Sequence, residues 1–218
     1  NLSFTHTIKN KYSAYNGKGY FTNSLNLDNS GLSGKGSIYY LNSVAETDSV
    51  FFYPQEAFAS ANNYEIYEQS HPFDCPKVSV SGATINWRAY MNEMESENRS
   101  EFFKCYQENF HFDGQIVLSE DSLSASGQFF FDNAFAKSDY FTFKRRYFTA
   151  DSSLFRLSNM QGEDKIMIGR NLFSSFNFDQ DFGSFRSLTD QNGFELFKNK
   201  YDLYFELMEW NRVNHSCH

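Results

Sequence analysis

The chain has 218 residues, among them 26 Phe and 14 Tyr, and it carries a formal net charge of −8. An aromatic content of 19% excludes intrinsic disorder, because disordered chains have too few aromatic side chains to offset the entropy of folding. The acidic balance disfavours nucleic acid as a partner, since phosphate repels a negative surface. No run approaches the roughly 18 apolar residues that a transmembrane helix needs.

A repeat at a constant offset of 91 residues organises the sequence: residues 25–66 align with residues 116–157 without a gap. The identities include Leu27/Leu118, Leu32/Leu123, Ser33/Ser124, Gly36/Gly127, Ala45/Ala136, Asp48/Asp139, Phe52/Phe143 and Ala59/Ala150. A regular offset of this kind is the signature of a repeat architecture. It predicts a partial repeat over residues 1–24, a first copy over 25–115, a second copy over 116–210 and a tail over 211–218. We expect the chain to be a slice of a longer array.

Period-2 apolar pairs predict strands in both copies. In the first copy the pairs are Leu25/Leu27, Ile38/Tyr40, Val50/Phe52 and Tyr64/Ile66, and both members of such a pair lie on one face of a strand. Turn-forming residues occupy 28–31 and 119–122. The prediction is an all-β fold, either an elongated tandem-repeat β-structure of the solenoid or jellyroll type or two tandem β-sandwiches. The ungapped offset favours the elongated form, because stacked units must keep a constant length.

Small residues recur inside the strand patterns. Gly36 and Gly127 lie where glycine costs stability, and such a glycine usually marks a bulge, a bend or a close approach of backbones. Ala59 and Ala150 are likewise small in both copies. We expect a facing element to pack closely against these positions.

The three cysteines show no Cys-x-x-Cys pair, so a structural zinc site has no support in the sequence. Cys75 and Cys105 could form one disulfide, which would contribute about 3 kcal/mol in the loop-entropy account. Cys217 lies beside the C-terminus, and we expect it to be exposed. Spacing alone leaves the state of Cys75 and Cys105 open.

Helix signals are weak throughout the chain. Residues 88–108 combine a few apolar residues with many charges, which fits a short helix or a loop. Residues 201–210 alternate as Leu203, Phe205 and Leu207, which favours a strand.

No pattern points to catalysis, a metal or a cofactor, and the sequence predicts none of them. Asp48 and Asp139 recur in both copies, whereas a catalytic acid is usually singular, so we expect them at turn entries, accepting backbone N–H bonds. The segment 179–183, Asp-Gln-Asp-Phe-Gly, lacks the later acid of a calcium loop and predicts an acidic turn. The basic cluster at 144–146 predicts a solvated strand end or turn.

Exposed aromatic side chains are the remaining candidates for binding. Tyr12, Tyr15, Tyr20 and the two tryptophans, Trp87 and Trp210, could stack on sugar rings. With so many aromatic residues, most must belong to the core, and any single one is more often buried than binding.

The repeated segments are similar to repeats of known protein families. The segments 32–36 (Leu-Ser-Gly-Lys-Gly), 49–53 and 59–66, and above all their counterparts 123–127, 141–143 and 148–157, resemble repeats of very large, uncharacterised cell-envelope proteins of Bacteroidetes-type bacteria. The phrase is also similar to the β-jellyroll repeats of lipopolysaccharide-transport proteins. Both resemblances imply an exported, elongated β-protein in the periplasm or at the cell surface, without catalytic residues.

The functional expectation is a non-enzymatic structural or interaction β-repeat module of a bacterial cell-envelope or surface protein. Its partners would be neighbouring repeats of a longer parent chain or other envelope proteins. The alternative is a carrier module whose apolar groove holds a lipid or a glycan. A third hypothesis is a glycoside hydrolase on a β scaffold, which needs two acids at a fixed separation. The glutamates that cluster at 93–108 are explained by a solvated face without catalysis.

Overall fold

Alternating burial along each segment explains why the chain forms strands. In residues 56–61, for example, Ala57, Ala59 and Ala61 are buried and Phe58 is exposed, as the two faces of a half-buried strand require. The computed structural model describes residues 4–106, 110–158, 165–189, 193–197, 201–204, 206–214 and 216–217. It is 71% strand, with no α-helix in those ranges. The all-β prediction is confirmed.

The chain divides into two units, and the first comprises Asn1–Phe103 and Gln115–Leu123. Its strands pair as an antiparallel meander in which β7 also pairs with the end of β9. In chain order they are β1 (Phe4–Ser13), β2 (Tyr20–Asp28), β3 (Gly31–Tyr40), β4 (Ser43–Phe52), β5 (Glu56–Ile66), β6 (Val78–Arg88), β7 (Glu93–Asn98), β8 (Phe103–Cys105) and β9 (His111–Ser119), the last two being shared with the second unit.

The second unit comprises Lys104–Gly114 and Ser124–His218. Its pairing is also antiparallel, and β14 pairs with β17. Its further strands are β10 (Leu123–Phe130), β11 (Ala134–Phe143), β12 (Tyr147–Ser158), β13 (Lys165–Asn177), β14 (Phe182–Ser187), β15 (Phe194–Leu196), β16 (Tyr201–Leu203), β17 (Leu207–Asn211) and β18 (Ser216–Cys217). The two units are defined by contacts between residues, whereas the two sequence copies are defined by alignment. The division into units therefore does not test the copy boundaries at 24, 115 and 210, which stay predictions.

Equivalent strands pair in the same register in the two units. In β3 and β4, Gly36 pairs with Thr47, and in β10 and β11, Gly127 pairs with Ser138. In the next pair of strands, Val50 pairs with Ala59 and Phe141 pairs with Ala150. All of these partners differ by 91 residues, including the register shift beside each glycine. The hairpins formed by residues 31–66 and 122–157 are therefore built alike.

The two recurrent glycines sit where a neighbouring strand approaches closely. A Cβ atom at Gly36 would overlap the carbonyl oxygen of Thr22, and one at Gly127 would overlap that of Asp113. Their φ angles, +155° and +151°, lie in a region that L side chains rarely adopt. Both the bulge and the close approach expected from the sequence are present at these positions.

A hydroxyl group closes each bulge. The Thr47 Oγ1 accepts a hydrogen bond from the Ser49 N–H at 2.9 Å and donates to the Ser60 carbonyl at 2.9 Å. The Ser138 Oγ accepts from the Tyr140 N–H at 3.0 Å and donates to the Asp151 carbonyl at 2.6 Å. A threonine in one unit and a serine in the other thus satisfy the same backbone groups.

Asp48 and Asp139 lie in these bulges and not at turn entries, so the expected placement was wrong. Both are exposed, inside β4 and β11. The Asp48 carboxylate pairs with the Lys35 ammonium at 2.6 Å and accepts from the Asn62 amide at 2.7 Å. These side-chain contacts lower the pKa of Asp48. The backbone N–H at the bulge is satisfied by the neighbouring hydroxyl, which leaves the acid free to pair across the strands.

The first unit encloses a mixed aromatic and aliphatic core. The rings of Tyr40 in β3 and Trp87 in β6 lie 5.8 Å apart, and the Ser43 Oγ lies 3.8 Å from the Met94 sulfur in β7. These pairs join strands that are not neighbours in the meander. The sheet of this unit therefore curves so that its buried face closes on itself.

The second unit has a core made largely of phenylalanine. Phe131 contacts Phe176 at 4.7 Å and Trp210 at 5.6 Å, both on other strands. Tilted and edge-on ring pairs dominate, as the quadrupole of aromatic rings favours. The fully buried rings of this unit include Phe110, Phe112, Phe129, Phe141, Phe143, Phe148 and Phe155.

Two regions with weak sequence signals resolve into strands. Residues 88–108, expected as a helix or loop, contain one short 3₁₀ turn, Ala89–Met91, followed by β7 and β8. The strand expected over 201–210 is divided into β16 and β17, with Phe205 outside the described residues. The predicted apolar face was wrong in β17, where Met208 and Trp210 are buried and Leu207 is exposed. Within the part of the chain that is described, no helix is long and apolar enough to cross a bilayer.

Candidate functional site

The three thiols are free in the structure, so the Cys75–Cys105 pair is not bridged there. Cys75 is buried, and its sulfur accepts a hydrogen bond from the Asn42 amide at 3.2 Å. Burial raises the pKa of both Cys75 and Cys105. Low-reactivity, buried thiols of this kind act as small apolar side chains. Cys217 is exposed, as expected.

The acidic segment at 179–183 forms the turn between β13 and β14 and holds two ion pairs. Asp179 pairs with Arg146, and Asp181 pairs with Arg212 at 2.6 Å. Arg212 also pairs with Asp132 at 2.7 Å. The carboxylates that a calcium ion would need are therefore engaged by guanidinium groups. The described residues contain no cluster of three or more metal-ligating side chains, and His215 and His218 lie outside them.

The aromatic side chains proposed to stack on sugar rings divide into those already packed against the protein and those that line cavities. Trp87 and Trp210 are 0% and 1% exposed, which rules out stacking of a ligand on either ring. Tyr20 already stacks on Tyr39 at 4.4 Å. Tyr12 and Tyr15 remain, and both line a cavity in the first unit.

Two adjoining cavities form the candidate site, which we call the tyrosine pocket. One, of about 350 Å³, is lined by Tyr12, Tyr15, Tyr53 and neighbouring residues of β1, β3 and β4. The other, of about 240 Å³, is lined by Tyr15, Asn16, Lys18, Pro54, Gln55, Ala89 and Tyr90. Tyr15 and Pro54 line both. The larger of the two lies at the lower end of the range of small-molecule sites, roughly 300–1,000 Å³.

Tyr15 is fixed at the centre of this pocket. Its hydroxyl donates a hydrogen bond to the Glu56 carbonyl, and its ring meets Trp87 edge-on at 5.0 Å. Burial is the main cause that raises the pKa of Tyr15 to about 12. The residue adopts φ +48°, and Asn16 follows at +60°, a conformation that persists only where the surroundings enforce it. Lys18 donates a hydrogen bond to the Asn92 side chain, which links this segment to the residues that precede β7.

The second unit holds Tyr106 in the equivalent way. The Tyr106 hydroxyl donates to the Tyr147 carbonyl at 3.0 Å, its ring stacks on Phe178 at 3.7 Å, and its φ is +63°. These partners again differ from those of Tyr15 by 91 residues. A half-buried tyrosine is thus held by equivalent contacts in both units.

The equivalence of Tyr15 and Tyr106 was missed at the sequence level, as was that of Asn42 and Asn133. Each asparagine amide donates to a strand carbonyl, of Tyr67 at 2.5 Å and of Ser158 at 3.1 Å. The signal was available, because both pairs are identities at the same offset. Extending the ungapped alignment upstream of residue 25 would have found the tyrosines.

Comparison with known proteins identifies no relative of this chain. No family model, no curated protein and no solved structure matches it.

Proposed function

We propose that the chain is a non-enzymatic structural or interaction module built from two tandem copies of one β-building block. The observation that carries the proposal is the shared pairing register of residues 31–66 and 122–157. Because glycine, hydroxyl and tyrosine positions repeat together with their contacts, the features held in common serve the scaffold. A reactive group would be expected in one copy only.

The proposal includes a place in the bacterial envelope, exported to the periplasm or cell surface. This part is supported by the resemblance of the repeated phrase to envelope-protein repeats. The partners would be neighbouring repeats of a longer parent chain or other envelope proteins. A surface with net charge −8 is compatible with an exported module that must stay soluble.

The packing of the core favours this function over a carrier with an apolar groove. The inward-facing rings of the second unit, such as Phe129, Phe141 and Phe148, are at most 1% exposed and contact one another. A groove for an acyl chain needs an apolar face that is open to a ligand. Here the apolar faces are filled by the protein's own side chains.

The test is complementation in the source organism. The segment is deleted from its parent gene, and the full chain is restored as wild type, as Gly127→Val, or with one exposed histidine or acid replaced at a time. We expect fractionation to place the protein in the envelope. The surface variants should rescue the deletion phenotype, and Gly127→Val, which disrupts the scaffold, should not.

Two results would overturn the proposal. One is a folded surface variant, such as His71→Ala, whose defect is as severe as that of the deletion. Such a result would reveal a reactive group. The other is recovery of the wild-type protein in the cytosolic fraction only, which would remove the envelope assignment.

A further inference from the structure

The tyrosine pocket has a chemical character that its counterpart in the second unit lacks. Gln55 and Tyr90 line the pocket, and the residues 91 positions later are Arg146 and Asp181. In the second unit Arg146 pairs with Asp179, and Asp181 pairs with Arg212. At these two equivalent positions the second unit has side chains engaged in ion pairs. The first unit has an amide and a phenol instead.

The exposed rings around the pocket are available to a ligand. Tyr53 and Tyr90 are 52% and 58% exposed, and Tyr12 is 44% exposed. The half-buried Tyr15 is held by the Glu56 carbonyl and Trp87. Since the backbone beneath is fixed, little ordering cost remains for binding at this site.

The polar groups at the pocket narrow the class of ligand. Amides from Asn16 and Gln55 can both donate and accept hydrogen bonds. Among the described residues that line the two cavities, Lys18 is the one that is charged, and its ammonium group already donates to Asn92. A phosphate ligand is disfavoured, because a single lysine that is already hydrogen-bonded binds phosphate poorly. An acyl chain is also disfavoured, because it would leave the amide groups without hydrogen-bond partners.

We propose that the tyrosine pocket binds a neutral oligosaccharide. A pyranose ring presents C–H groups that pack against the negative face of a tyrosine, and its hydroxyl groups match amides that both donate and accept. Tyr53 and Tyr90 supply the stacking faces, and Asn16 and Gln55 supply the hydrogen bonds. This inference goes beyond the proposed function and stands independently of it, because a structural module can carry one glycan contact or none.

Isothermal titration calorimetry of the full chain tests the proposal. The probes are cellohexaose, maltohexaose, chitohexaose and laminarihexaose, with octanoate as the acyl probe. We expect saturable binding of at least one saccharide. Tyr53→Ala and Tyr90→Ala should each weaken that binding about tenfold, the loss of one stacking contact. Tyr90→Phe should retain it, because the ring remains.

Tyr140→Ala is the matched control, since Tyr140 is 55% exposed but lies on the second unit. Near-ultraviolet circular dichroism checks that every variant keeps its tertiary packing. The proposal fails if no saccharide binds at about 10 mM, which would correspond to less than roughly 3 kcal/mol of binding free energy. It also fails if octanoate binds more tightly than every saccharide, or if Tyr140→Ala weakens binding as much as the pocket variants do.

Discussion

A single hydroxyl group distinguishes two equivalent buried rings of the molecule. Tyr40 in the first unit is 3% exposed, and its hydroxyl has no hydrogen-bond partner among the described residues. The residue 91 positions later is Phe131, which is 7% exposed. A buried polar atom without a partner costs about 1–3 kcal/mol. The phenylalanine is therefore the more stable solution for this place in the scaffold.

We expect Tyr40→Phe to leave the free energy of unfolding unchanged or to raise it by about 1 kcal/mol, because a buried hydroxyl without a partner is removed. The reverse change, Phe131→Tyr, should lower it by about 1–3 kcal/mol. Urea unfolding of both variants at neutral pH measures the two differences. A clear loss of stability in Tyr40→Phe would show that the hydroxyl is bonded in solution.

The same tyrosine predicts a loss of stability in alkali. Burial, followed by the nearby charges of Glu120 and Glu93, raises the pKa of Tyr40 from 10.0 to about 12. Below pH 10 the phenol is protonated in both the folded and unfolded states, so its raised pKa costs nothing there. Between pH 10 and 12 the unfolded chain ionises first, and stability falls as pH rises. Tyr40→Phe should show a smaller fall over this range, measured by urea midpoints, and equal slopes would contradict the burial argument.

Glycine at position 36 is required by space as well as by backbone conformation. We expect Gly36→Val to lose about 3 kcal/mol or more, because the side chain would overlap the Thr22 backbone. Gly31→Ala is the control, since Gly31 also has positive φ but has nothing within 4 Å of an added Cβ. It should lose about 1 kcal/mol from conformation alone. Equal losses in the two variants would mean that crowding plays no part.

At the scale of the strand, each bulge depends on one hydroxyl. Thr47→Val keeps the shape of the side chain but removes both bonds to the Ser49 and Ser60 backbone, and we expect a loss of about 1–3 kcal/mol. Thr47→Ser should have a stability close to that of the wild type, because Ser138 makes the equivalent backbone hydrogen bonds in the second unit. Thermal unfolding followed by circular dichroism compares the three proteins. A valine variant as stable as wild type would show that water replaces the hydroxyl.

Much of the strand pattern could be predicted from sequence because it rests on local physics. Period-2 pairs placed β3, β4, β10 and β11, and the turn at 28–31 follows from Asp28, whose carboxylate accepts from the Ser30 N–H at 2.8 Å. Gly36 and Gly127 were expected to mark a bulge, a bend or a close approach of backbones, because glycine inside a strand costs stability. These signals require no knowledge of distant contacts.

The remaining features depend on contacts between residues far apart in the chain. Asp48 was expected at a turn, because the bulge beside it is created by the register of three strands and leaves no mark on a single strand. The tryptophans were candidates for binding because their burial is decided by partners such as Tyr15 and Phe131, tens of residues away. The tyrosine pocket combines residues 12–18, 53–55 and 89–90, which only the fold brings together.

At the scale of the whole molecule, stability comes from packed rings and not from covalent links. All three thiols are free, and two are buried. We expect dithiothreitol to leave the thermal midpoint unchanged. Titration with Ellman's reagent should find one reactive thiol, Cys217, in the native protein and three in denaturant. A midpoint that falls on reduction would show a Cys75–Cys105 bridge, which would contribute about 3 kcal/mol.

The placement of the two tryptophans has a practical consequence for spectroscopy. The sequence contains two of these residues, and Trp87 belongs to the first unit while Trp210 belongs to the second. Each is sealed from solvent in the native state, so its fluorescence emission will shift to the red when its own surroundings are hydrated. Replacing Trp87 with Phe, the residue found 91 positions later, leaves Trp210 as the sole tryptophan, and Trp210→Phe leaves Trp87. The unfolding of each unit can then be followed through the fluorescence of its own tryptophan.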